Sequence, residues 1–173
     1  MDTNSITSPP HDSLAPGSID ELRDLFGRAT LLAAAVADAV PPATGPQSTG
    51  LDMTVAELAE HLVVAARRAV CAGRALPLDQ WPLDAADVAP GGWADALREA
   101  ADDAGLAWTG VDPRRMTTLP WGVFPADNVL GVYLNEVTVH TWDLARATGQ
   151  SPDFDDDVVA ASSIRPSMSA IRP

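Results

Sequence analysis

Apolar residues recur at steps of three and four along four stretches of the chain, the spacing of one buried face on an α-helix. In the first stretch Leu22, Leu25, Phe26, Ala29, Leu32, Ala33, Val36 and Val40 form one broad stripe. Ser18-Ile-Asp-Glu21 opens it with the spacing of a capping box, and Pro41-Pro42 closes it. A helix from Ser18 to about Val40 would be about 34 Å long. A second capping-box pattern, Thr54-Val-Ala-Glu57, starts a helix that runs to about Arg74 with Leu58, Leu62, Ala65, Ala66 and Ala69 on its inner face. Trp93, Leu97, Ala100, Ala101, Ala104 and Trp108 set the buried face of a third, from Gly92 to Trp108. The fourth runs from about Ala126 to Thr148 and meets Gly149 where a left-handed C-cap belongs. It is rich in β-branched residues, so burial must override a weak helical propensity.

Between these stretches the period is lost. Residues 41–50 (PPATGPQSTG) read as a loop, and residues 75–91, with three prolines, as an extended connection. Met116 to Pro125 reads either as a short hairpin or as a packed loop. After Gly149 an acidic stretch leads to a short fifth helix over Val158 to Ser163. Residues 1–17 are polar, carry three prolines and include His11, and they read as a disordered tail. The expected layout is that tail, a helix bundle over 18–163, and a C-terminal tail over 164–173. The architecture is all-α, a four-helix bundle whose two long connections exclude a simple up-down-up-down order.

Composition narrows the chemistry. The 173 residues hold 24 acidic and 11 basic side chains, a net charge of −13 that repels phosphate backbones and anionic lipid surfaces. Nucleic acid and membrane partners are therefore not expected. The longest apolar run, Leu31 to Ala37, is far below the ~20 residues of a spanning helix, and no signal peptide is recognisable, so a cytoplasmic protein is expected. Every basic residue is Arg and none is Lys, which excludes lysine Schiff-base chemistry and a lysine-based phosphate loop. The single Cys71 allows no internal disulfide and no thiolate metal cluster.

The histidines carry the remaining chemistry. His61 borders the stripe of the second helix, and His140 follows Glu136 by four residues on the fourth, so those two side chains stack on one face. Tyr133 and Asp143 extend that line in either direction. Two imidazoles and a carboxylate from packed helices suit Zn²⁺, Ni²⁺ or Fe²⁺ and leave coordination positions open. The plainer reading is two unrelated, hydrogen-bonded histidines and a solvated Glu136. Asp143 either orients a ligating histidine or pairs with Arg146. Cys71, about 80° around the helix from His61 and ~15 Å along it, is too far to share the metal and reads as a small packed residue. Trp93, Trp108 and Trp142 read as core or groove packing rather than a cofactor box, Trp81 and Trp121 as candidates for a pocket mouth, and Arg114-Arg115 as a solvated pair rather than a pair that steers an anionic substrate.

The stretches Thr54-Val-Ala-Glu-Leu-Ala-Glu-His61-Leu and Leu134-Asn-Glu136-Val-Thr-Val-His140-Thr-Trp-Asp143-Leu-Ala-Arg-Ala-Thr-Gly149 resemble the DinB-like superfamily. The likeness is specifically to the metal-binding domain of mycothiol-dependent maleylpyruvate isomerases, over about residues 18–163. The resemblance implies a DinB-like four-helix bundle and a divalent metal, usually zinc, held by His61, Glu136 and His140. It also implies mycothiol as a thiol cofactor acting on an electrophilic small molecule. Many relatives carry a Cys and a Trp before the His-bearing helix, where this chain has Ser-Thr-Gly-Leu-Asp-Met-Thr54. Relatives continue past the fifth helix, so a truncated C-terminus is an open expectation. Three functions follow: a thiol-dependent transferase or isomerase, a non-catalytic metal or small-ligand binding protein, or a purely structural bundle. Whether the chain is an enzyme, and whether it forms a homodimer, the sequence leaves open.

Overall fold

A computed structural model describes residues 18–40 and 52–162. The tails expected at 1–17 and 164–173, with His11, the whole of the 41–50 loop and Ser163 of the expected fifth helix lie outside the described residues. Within them the chain forms α1 (Ile19–Asp38), α2 (Val55–Gly73), α3 (Trp93–Ala107), β1 (Met116–Leu119), β2 (Gly122–Pro125), α4 (Ala126–Ala147) and α5 (Asp156–Ser162). No helix is long and apolar enough to cross a membrane.

Local chemistry sets the boundaries. Ser18 accepts the Glu21 amide at 3.1 Å to start α1. At the start of α2, Thr54 Oγ1 accepts the Glu57 amide at 3.2 Å and Glu57 accepts the Thr54 amide at 2.7 Å, so both halves of the capping box form. α4 ends in a Schellman motif, with Gly149 at φ 71° and the Gln150 amide reaching the Ala145 carbonyl at 2.8 Å. α2 ends the same way through Ala75, at φ 53°, with the Leu76 amide 3.0 Å from the Cys71 carbonyl. Sequence reading places no such cap at Ala75, because the position normally calls for glycine.

The four long helices close a ring in which α1 and α2 each pack on both α3 and α4. α1 barely touches α2, and α3 does not pack on α4, so the helices joined by the first and third connections lie diagonally across the bundle. Phe26, Leu58, Leu62, Leu97, Trp108, Leu130, Leu134 and Leu144 fill the centre. Trp108 reaches across to donate from Nε1 to the Ala69 carbonyl at 3.0 Å. Gly73 makes room for it, since a Cβ there would lie 2.8 Å from that nitrogen.

The stretch from Met116 to Pro125 is a hairpin, β1 pairing antiparallel with β2 from Met116 opposite Pro125 to Leu119 opposite Gly122. α5 packs on α4 and α1, with Asn135 donating to the Ser162 carbonyl at 2.6 Å and Arg28 paired to Asp155. Three expectations need correction. Residues 75–91 are not wholly extended, because Leu78–Gln80 form a 3₁₀ turn and Trp81 is buried, its Nε1 bonded to the Leu76 carbonyl. Trp142 is not packed inside. It is 50% exposed, with the Arg146 guanidinium over its ring at 5.1 Å. Arg115 is not solvated either: its two Nη groups cap the Gly73 and Ala72 carbonyls at 3.0 and 2.7 Å.

Candidate metal centre

The centre lies between α2 and α4. The stripe of Leu58, Leu62, Ala65 and Ala69 draws α2 onto α4, and His61, at the edge of that stripe, is carried to the seam. On α4 the buried Tyr133 and Val137 hold Glu136 and His140, one turn apart, against the same seam. His61 Nε2 lies 2.9 Å from Glu136 Oε1, and His140 Nε2 lies 3.4 Å from the same oxygen. The imidazole rings stand edge to face, their centroids 4.9 Å apart. One donor atom from each of the three residues falls within 4.8 Å of the other two.

Atoms bound to one ion at ~2.0–2.2 Å are separated by roughly 3 to 4 Å. The two nitrogen-to-oxygen distances already meet that requirement. Bringing the imidazole nitrogens into range takes at most about 1 Å of closure, within reach of small side-chain rotations. The donors are neither sealed in the core nor free in solvent: the side chains of His61, Glu136 and His140 are 30%, 37% and 21% exposed. A cation held there would face water on one side, which leaves positions for further ligands.

Of its two candidate partners, Asp143 faces His140. Its Oδ2 lies 3.1 Å from His140 Nδ1, while Arg146 turns to Trp142. A carboxylate at Nδ1 keeps a proton there and directs Nε2 into the cluster, the usual support of a metal-bound histidine.

The charges follow from the geometry. Hydrogen bonds from His140 and then His61 pull the Glu136 carboxyl down to about 2, against a smaller opposing push from burial. Glu136, and secondarily Asp143, raise His140 above its ordinary value, burial again opposing. Without a cation the cluster is an anionic carboxylate clasped between imidazoles, and a divalent cation replaces the shared protons by direct coordination. Burial holds the Tyr133 phenol above its ordinary value, and among the described residues its hydroxyl has no hydrogen-bond partner.

Cys71 takes no part. It is buried in the wall of a cavity of about 370 Å³ between α2 and α3, beside Trp81, Arg67 and Arg74, and burial raises its thiol above the ordinary value. Of the two tryptophans expected near a pocket mouth, Trp81 lines this cavity and Trp121 stands exposed in the hairpin turn. Sequence reasoning did not single out Arg68, whose Nε donates to the Pro82 carbonyl at 2.9 Å. Its place beside Arg67 in a double-arginine step gives no signal of its own. Comparison with family models, with curated proteins and with solved structures finds no match to this chain.

Proposed function

We propose that this chain is a divalent-metal-binding bundle protein of the DinB-like, mycothiol-dependent maleylpyruvate isomerase type. In this reading His61, Glu136 and His140 hold zinc, or nickel or iron, and the centre serves thiol-dependent transfer or isomerisation of an electrophilic small molecule. The observation that carries the metal reading is the convergence of His61 with the Glu136/His140 pair across 75 residues of chain. The family reading rests on the residue patterns around His61 and between Leu134 and Gly149.

A bound zinc would supply Lewis acidity, lowering the pKa of a thiol or water that reaches it. The chain supplies the rest. His61 and His140 present neutral nitrogens, Glu136 contributes one negative charge, and Asp143 keeps the His140 proton on Nδ1. No protein nucleophile is called for, consistent with a lone Cys71 buried on the other flank of α2.

Metal analysis of protein purified without an affinity tag tests the reading. About one equivalent of metal is expected in the wild type and in Cys71→Ala, and most of it lost in His140→Ala. Equal loss in both variants would refute the assignment. Turnover with mycothiol and electrophilic acceptors then separates an enzyme from a protein that only holds the metal.

A further inference from the structure

This inference rests on the metal reading and concerns what else a ligand of that centre meets. Arg68 follows His61 by seven residues on α2, which returns it to within about 20° of the same face and roughly 10 Å along the axis. Among the described residues Arg23, Arg28, Arg67, Arg74 and Arg98 hold carboxylates, as Arg67 holds Asp87 at 2.8 Å and Arg74 holds Asp103 at 2.9 Å. Arg68 does not. Its Nε is tied to the Pro82 carbonyl, and among the described residues its two Nη groups have no partner. The side chain is neither fully buried nor fully exposed.

Across the seam its charge reaches the Tyr133 phenol, one turn before Glu136 on α4. That hydroxyl is buried and unpartnered. Unlike Arg115, whose Nη groups cap backbone carbonyls, and Arg146, which lies over Trp142, Arg68 keeps both Nη groups open to an anionic group that arrives from outside. One face of α2 thus carries a histidine of the candidate cluster and, two helical turns on, a guanidinium whose Nε is tied to Pro82.

We infer that Arg68 selects ligands at this centre by binding a carboxylate carried roughly 10 Å from the metal-bound atom. Tyr133 stands on the same line as a second donor. The purely structural alternative is that Arg68 only ties the 75–91 connection to α2.

Cobalt-loaded protein tests this, with thiolate-to-cobalt absorption as the readout. Its probes are mercaptoacetate, mercaptopropionate, mercaptohexanoate and the neutral mercaptoethanol. At least one mercaptocarboxylate is expected to bind about tenfold or more tighter than mercaptoethanol, with a preferred chain length. Arg68→Ala should abolish that preference while cobalt stoichiometry stays intact, and Arg68→Lys, a point charge without the fork, should keep part of it. Equal preference in wild type and Arg68→Ala, or none in the wild type, overturns the inference alone. Cobalt that fails to bind, or binds unchanged in His140→Ala, overturns the metal reading and this inference with it.

Discussion

Asp143 touches no ion in the proposed centre, yet its 3.1 Å contact fixes which nitrogen of His140 is free to coordinate. Asp143→Asn is expected to weaken metal binding about 10- to 100-fold with little change in the fold, measured by competition with a chromophoric chelator. Protons compete at the same atoms, and the signs differ between the two groups. Glu136 titrates lower in the folded chain than its ordinary 4.5, so its contribution to stability is present above that value and is lost as pH falls toward about 2. His140 titrates above its ordinary 6.5, so its contribution is full below that value and fades as pH rises through the folded-state pKa. Metal-free protein should therefore be stabilised most by this cluster between about pH 4.5 and 6.5. Metal affinity should climb with pH over the range where His140 gives up its proton. Denaturant melts of the metal-free protein across pH check the first expectation, and a Glu136→Gln variant should flatten the acid limb.

At the scale of single elements, the last turn of α2 holds a correctable strain. Ala75 occupies the left-handed conformation that Gly149 occupies at the end of α4. Ala75→Gly should stabilise the protein by roughly 0.5–1 kcal/mol and Gly149→Ala should cost a similar amount, both read from chemical denaturation. Elements defined by nearby residues were the ones legible in the sequence. The Thr54/Glu57 box, the stripes of α1, α2 and α3 and the Gly149 cap each depend on neighbours within four or five positions. α4 was legible despite its β-branched content because its stripe outweighs its propensity. Arg115, Trp81 and Trp142 were misread or left open for the opposite reason. Their surroundings are set by elements distant in the chain: the end of α2 for Arg115, the α2/α3 cleft for Trp81, and an uncovered flank for Trp142. Within the site, Glu136, His140 and Asp143 were legible as one helical line, whereas the approach of His61 required the packing of α2 on α4. That packing has no local signature.

Taken as one molecule, the bundle joins its candidate centre from two packed helices that α3 and the hairpin separate along the chain. A ligand that binds only this folded arrangement adds stability by mass action, about 2.7 kcal/mol at a hundredfold excess over its Kd. For a chain of this size, that corresponds to a rise in Tm of roughly 5–10 °C. Zinc should raise the melting temperature of the wild type by about that much, a chelator should reverse it, and His140→Ala should show almost none of it in calorimetry. The 75-residue separation has a further bearing on how the protein matures. A nascent or unfolded chain offers an ion only the two-point grip of Glu136 and His140, too weak to compete with cellular buffers. If the centre binds metal as proposed, tight loading would wait until α2 has packed on α4, so an occupied centre would record that the topology was assembled correctly.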